Sequence, residues 1–297
     1  TMGEDMDTKV NRRSFLKSAI STSAAVSFAS AVSYAKSKEN LNRPNVLLLM
    51  TDDQHWDEIG YNGHGIHTPH IDEMAATGIE FTRYYAGHSR CTPTRACMMT
   101  GRNNVRTGSM APNKFIEGQD GINKNEKCLP VLFNMAGYRT GHFGKWHLDE
   151  NGSSNPIEMG YDHAIWSHNK YNDGVSFQVG DTDDRIQTEG DCSEATVRIA
   201  LDFIKESVEN EKPFFATIWY GSPHASHESS PQFRSLYPNS PCQNYLAEIT
   251  GIDASVGILR EELAKMGVDQ NTQIWFCTDN GADGQGGCGR DICGSDG

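Results

Sequence analysis

The sequence predicts an α/β fold, a mostly parallel sheet sandwiched by helices. Three observations carry that expectation. Residues 45–50 and 213–220 are short, mostly apolar runs of the kind found in strands buried on both faces, and 272–277 reads as the last strand. Segments with helical spacing lie between them, so strands and helices alternate along the chain. Each run also ends in polar residues: Thr51-Asp52-Asp53-Gln54, Gly221-Ser222-Pro223-His224 and Thr278-Asp279-Asn280-Gly281. Right-handed βαβ units place the carboxyl ends of all such strands on one edge, where ligands bind.

The N-terminus reads as an address. Asn11-Arg12-Arg13-Ser14-Phe15-Leu16-Lys17 is a twin-arginine pattern, followed by a Ser/Ala-rich, mildly apolar run over 19–32 and a small-x-small site at Ser33-Tyr34-Ala35. Residues 1–35 are therefore expected to be a Tat signal, removed after passage through the Tat translocase, and 36–297 the mature domain. The alternative is an N-terminal anchor, but the apolar run is shorter than the ~20 residues a span needs. No later segment reads as a stable membrane span, so the expected location is the bacterial periplasm or the medium.

The first strand, 45–50, delivers Asp52 and Asp53 at its mouth. Two adjacent acids at the end of a buried strand are electrostatically expensive unless a positive group lies between them, and a metal ion is the simplest remedy. A solvated loop is the other reading. A helix over 70–77 follows, with Ile71, Met74 and Ala75 on one face and Gly78 as its stop, then a short strand over 79–81.

In His88-Ser89-Arg90-Cys91-Thr92-Pro93-Thr94-Arg95-Ala96, Pro93 suits the first turn of a helix that runs to Gly101. Cys91 then sits at a helix N-terminus, where free N–H groups and the helix dipole favour negative charge, and Arg95 adds a cation one turn on. That makes Cys91 a reactive-residue candidate. A plain buried thiol is the alternative.

Apolar residues at helical spacing over 128–136 precede a strand that begins near Tyr138 and runs into Gly144-Lys145-Trp146-His147-Leu148. Residues two apart on an extended chain project the same way, so Lys145 and His147 are expected side by side, and a partly buried pair of cations asks for an anion. Residues 150–190 are polar and read mostly as loop, with Gly160-Tyr161-Asp162 as a turn onto a short strand; Ser167, His168 and Asn169 are substrate-contact candidates outside the main set. An amphipathic helix over 193–208 leads to the strand 213–220, which delivers His224. The helix 243–266, with Asp253 as a structural acid, leads to the last strand, which delivers Asp279 and Asn280.

Asp52, Asp53, His224, Asp279 and Asn280 each follow a strand directly, so they gather on one edge, and the Lys145–His147 loop should join them. Three carboxylates and one amide oxygen form a hard, all-oxygen ligand set, which suits Ca2+ or Mg2+ rather than zinc. Composition fits such a reading. With 297 residues, 37% hydrophobic and 22% charged, the chain can bury a sizeable core. A net charge of −13 excludes nucleic acid as a partner and opposes steering of anions, so any anion site must be a local basic pocket. Eight cysteines in an exported chain admit four bridges, but a chemically committed Cys91 leaves an odd number; Cys288 and Cys293 are placed to bridge locally.

Cys91-Thr92-Pro93-Thr94-Arg95 with Thr100-Gly101-Arg102 resembles the signature of the formylglycine-dependent sulfatases of the alkaline phosphatase superfamily, and Gly144-Lys145-Trp146-His147-Leu148 resembles a second motif of that family. The resemblance runs over roughly 43–284. It implies that Cys91 is oxidised to formylglycine by a formylglycine-generating enzyme, and that its hydrate is the nucleophile and a further ligand of the cation. It also implies that Arg95 and Lys145 hold nucleophile and sulfate, that His147 accepts a proton, and that His224 faces the leaving oxygen of a sulfate ester, such as a sulfated polysaccharide. The family continues with a further sulfate-contacting lysine and an antiparallel C-terminal subdomain. The expectation is therefore an incomplete catalytic domain. A phosphate or phosphonate ester hydrolase, and an inactive remnant that binds sulfated glycans, are the alternatives.

Overall fold

Strand β1 (Asn45–Thr51) lies inside the sheet because its side chains are apolar on both faces, with Leu47 and Leu49 fully buried on one side and Met50 on the other. The computed structural model describes residues 43–112, 114–117, 121–123, 125–148, 154–168 and 174–282. The twin-arginine segment, Asn169 and the Cys288–Cys293 pair lie outside the described residues. After β1 come α1 (Pro69–Thr77), α2 (Cys91–Thr100), the single turn α3 (Asn104–Thr107) and a small hairpin, β2 (Ser109–Ala111) and β3 (Lys114–Phe115). Then follow α4 (Leu129–Met135), β4 (Arg139–Lys145), β5 (His163–Ser167), β6 (Ser176–Val179) and β7 (Arg185–Gln187). The chain continues through α5 (Cys192–Glu209), β8 (Phe214–Trp219), α6 (Pro231–Arg234), α7 (Gln243–Lys265) and β9 (Thr272–Thr278).

The main sheet has the order β7-β6-β5-β4-β8-β1-β9. From β5 to β9 all neighbours are parallel, with β1 between β8 (Leu47 opposite Ala216) and β9 (Leu47 opposite Ile274). The fold is thus the expected α/β arrangement with a mostly parallel sheet. Alternation along each strand feeds two cores. Leu47, Leu49, Ala216 and Ile218 pack with Phe203, Ile204, Ile252 and Val256 of α5 and α7. On the opposite face Met50, Phe215, Trp219 and Trp146 pack with Ala96 and Met99 of α2.

Three expectations need correction. Residues 79–81 form no strand; Ile79 and Phe81 are exposed, because a three-residue apolar run without a sheet neighbour has nothing to pair with. The loop-like stretch 150–190 carries, beyond the one short strand expected there, two more: β6 pairs antiparallel with β5 and β7 antiparallel with β6, on sequences too short and polar to announce strands. The four-bridge reading of the cysteines also fails, since Cys91, Cys97, Cys128 and Cys277 are free thiols, while Cys242 is disulfide-bonded. Asp253 takes the structural role expected, accepting from Ile71 N at 2.8 Å to tie α7 to α1. No helix among the described residues is long and apolar enough to cross a membrane.

Candidate active site

The turns that leave β1, β8 and β9 are stitched together by their backbones. Asp52 N donates to Ser222 O at 3.1 Å, Tyr220 N to Met50 O at 2.8 Å, and Asp279 N to Thr51 O at 3.1 Å. Adjacent parallel strands thereby bring Asp52 and Asp279 together although 226 residues separate Asp53 from Asp279. Asp53 N donates to Asp279 Oδ1 at 3.2 Å, and Asn280 Nδ2 donates to Asp53 Oδ1. Asp53 is held at φ 59°, a left-handed conformation uncommon outside glycine, so the turn is kept by its surroundings rather than by local preference.

Two buried cations answer the acids. Arg95, on the first turns of α2, donates to Asp279 Oδ2 from Nη2 at 2.8 Å and from Nε at 3.2 Å, and its Nη2 lies 3.4 Å from Asp52 Oδ1. The guanidinium also rests 4.9 Å from the centre of the Trp219 ring. Lys145, the last residue of β4, donates from Nζ to Asp52 Oδ2. Gly144 makes that approach possible: it has φ 99°, and a Cβ there would come within 2.1 Å of Trp219 O.

Charge is divided unevenly among the acids. Burial works to raise Asp52, but Lys145 and Arg95 outweigh it and hold this carboxyl below the usual carboxylate range. Asp53 and Asp279 are pushed up, first by burial and then by the charge of Asp52.

Cys91 is the first residue of α2, with Arg90 extended before it, and its Sγ and one oxygen each of Asp52 and Asp279 all lie within 4.8 Å of one another. Thr94 clasps the loop ahead of it, donating to His88 O at 2.7 Å and accepting from His88 N at 3.0 Å. The expected activation of the thiol by the helix end and Arg95 does not prevail. Burial, then the Asp52 charge, push the Cys91 thiol well above its ordinary range, so the unmodified residue is a protonated thiol.

His147 is buried beside Lys145, but not as two residues of an extended chain: it sits at φ 52° just past the end of β4. Among the described residues neither of its ring nitrogens has a hydrogen-bond partner, and burial with the Lys145 charge lowers it to about 2, which keeps the ring neutral. His224, half-buried, lies with Nε2 3.5 Å from Asp53 Oδ2. The structure thus brings Asp52, Asp53, Cys91, Arg95, Lys145, His147, His224, Asp279 and Asn280 to one edge of the sheet. His168, a substrate-contact candidate outside the main set, stands with its ring 5.7 Å from that of His147, because β5 lies next to β4. Trp219 was missed, and no local signal could have found a ring that matters through its contact with Arg95. The need for Gly144 was legible as a glycine inside a strand run.

A divalent cation fits these residues. Among the described residues Asp52 Oδ1 and Asn280 Oδ1 are buried with no hydrogen-bond partner, lone pairs that a hard ion would take. Three buried, crowded carboxylates are relieved by the same charge. The Cys91 sulfur is the poorest member of the set, whereas an oxygen at its position would match the others.

The profile of the Sulfatase family matches residues 44–292. N-acetylgalactosamine-6-sulfatase of Mus musculus is 31% identical over 265 residues, covering 80% of this chain and 50% of its own length. Ulvan-active sulfatase of Formosa agariphila is 28% identical over 278 residues, 84% of this chain and 53% of its own. The crystal structure of Ps i-CgsB in complex with k-i-k-neocarrahexaose superposes with a TM-score of 0.76 at 25% identity, over 82% of this chain and 60% of that chain. The chain spans about half the length of the curated relatives it matches. A mostly parallel sheet that gathers acids, buried cations and a cysteine at a helix start on one edge, together with these likenesses, establishes that the chain belongs to the Sulfatase family.

Proposed function

We propose that the chain carries the site of an exported sulfuric ester hydrolase whose nucleophile derives from Cys91. The observation that carries the reading is the meeting of Cys91 Sγ with Asp52 and Asp279 oxygens within 4.8 Å, flanked by the buried cations Arg95 and Lys145. Oxidation of Cys91 by a formylglycine-generating enzyme replaces a protonated thiol with a hydrated aldehyde at the start of α2. Ca2+, or Mg2+ in its place, held by Asp52, Asp53, Asp279, Asn280 and the modified residue 91, supplies positive charge for a sulfate oxygen and favours an ionised hydroxyl.

The chain's own residues do the rest. Arg95 and Lys145 present fixed positive charge to a tetrahedral anion in a pocket that excludes water, where each donor counts for more than it would in solvent. His147, neutral and buried, offers a ring nitrogen to the proton that the nucleophile's second hydroxyl must lose. His224, at the rim, faces the leaving oxygen. The relatives' names point to sugar sulfates, and the twin-arginine segment points to export, so the proposed substrate is an external sulfate ester such as a sulfated polysaccharide.

The test is production of the chain with a formylglycine-generating enzyme, followed by intact-mass measurement and comparison of aryl sulfate with aryl phosphate turnover. The reading expects a mass lower by ~18 Da at residue 91, the difference that Cys oxidation to an aldehyde makes, and sulfate as the preferred substrate. Faster phosphate turnover would assign the chain to phosphoester chemistry. An unmodified thiol at Cys91 from the native host would leave a glycan-binding protein without the hydrolytic step.

A further inference from the structure

We infer that Glu58 and Tyr245 are positioning residues for the cation site, holding the Asp52–Asp53 turn in the shape that binds a divalent ion. This rests on the reading of Asp53 as a ligand proposed above. Glu58 has no exposed surface, five residues beyond Asp53. Its Oε2 accepts from His55 N at 2.8 Å and from the Tyr245 hydroxyl, while Gln54 Nε2 donates to its carbonyl at 2.8 Å. The Tyr245 hydroxyl also lies 3.4 Å from Asp53 O. Residues 54–58 are therefore closed onto Glu58, through its main-chain carbonyl by Gln54 and its carboxylate by His55 N, and that carboxylate is anchored by a side chain from the first turn of α7.

Two features argue that this arrangement serves the site rather than the fold. Asp53 is kept left-handed, which persists only where surrounding contacts over-determine it. Among the described residues Glu58 Oε1 is buried with no hydrogen-bond partner, so the acid is a poor choice for stability alone. The first two turns of α7 also hold the segment after β8, since Asn244 Nδ2 donates to His227 O at 3.2 Å and Glu228 N donates to Glu248 Oε1 at 2.6 Å. One helix end thus braces both the loop of Asp53 and the loop that follows His224.

Outer partners of metal ligands change affinity by roughly ten- to a hundredfold when removed. The experiment titrates Ca2+ alone into the full chain by calorimetry and records the melting temperature of each variant. Tyr245→Phe keeps the buried ring and removes only the hydroxyl, and Glu58→Met keeps about the same side-chain length and removes the carboxylate oxygen that accepts from His55 N. Tyr237→Phe is the control: that hydroxyl accepts from His67 N at 2.8 Å and bonds Thr250 Oγ1 at 2.6 Å, without touching the Asp53 turn.

The expected result is Ca2+ affinity at least about tenfold weaker in Tyr245→Phe and Glu58→Met and unchanged in Tyr237→Phe; should Glu58→Met fail to fold, Tyr245→Phe decides. Wild-type affinity in Tyr245→Phe, or an equal loss in Tyr237→Phe, overturns the inference while leaving the cation site standing. No Ca2+ binding by the unaltered chain overturns both.

Discussion

Arg95 Nη2 lies 2.8 Å from Asp279 Oδ2, and neither side chain is exposed to solvent. The pair joins α2 to the end of β9 across 184 residues, and the same guanidinium reaches toward Asp52. Removing one partner of such a pair leaves the other charge buried and uncompensated.

Arg95→Ala is therefore expected to cost about 3–5 kcal/mol in the absence of metal. Arg95→Lys, which retains charge but not the two-pronged approach to Asp279, should fall between that variant and the wild type. Urea denaturation in chelator measures both; a wild-type midpoint for Arg95→Ala would show that the pair adds nothing to the fold.

Gly144→Ala places a methyl group against the Trp219 carbonyl at a backbone φ that side chains rarely adopt. The expected loss is at least about 2 kcal/mol, since the strain is against backbone and cannot be relieved by a rotamer change. Because Gly144 precedes Lys145, aryl sulfate turnover of the modified protein should fall further than stability alone explains. Thermal melting and kinetics on the same preparation separate the two effects.

Chelation should lower the melting temperature and Ca2+ should restore it, because an ion that binds only the native state adds about 2.7 kcal/mol at a hundredfold excess over its dissociation constant. Asp52→Asn and Asp279→Asn should each abolish most of that shift. A melting curve indifferent to both chelator and Ca2+ would contradict the proposed ligand set.

Asp253 supplies a pH test away from the site. Burial raises its carboxyl from 3.8 to about 6 even though Ile71 N donates to it. A folded value above the unfolded one means the native state holds this proton more tightly. The contribution to stability is then fully present below about pH 3.8 and lost as pH rises through about 6. Asp253→Asn keeps an acceptor for Ile71 without the buried charge, so at pH 8 it should be more stable than wild type by on the order of 1 kcal/mol, a gain that shrinks toward pH 4. Denaturant midpoints across that range check it, and a gain independent of pH would rule out the titration of Asp253 as its source.

What the sequence by itself determined about this chain is what depends on near neighbours and on strand direction. The apolar runs ending at Met50, Tyr220 and Cys277 identified the strands, and parallel topology then required Asp52, His224 and Asp279 to share an edge, whatever lies between them. The Pro93 turn put Cys91 at a helix start for the same local reason. Only the tertiary structure decided matters that depend on burial and on fields acting through space. Strand β6 exists because β5 offers it a hydrogen-bonding edge, and β7 because β6 does in turn, not because their residues prefer it. The Cys91 thiol stays protonated because Asp52 and a dry pocket outweigh the helix end. Glu58 takes its place beside Asp53 because Tyr245, 187 residues away, reaches it. Hydrophobic period is a property of a few consecutive residues, whereas desolvation and charge pairing belong to whichever segments the fold brings within a few ångströms.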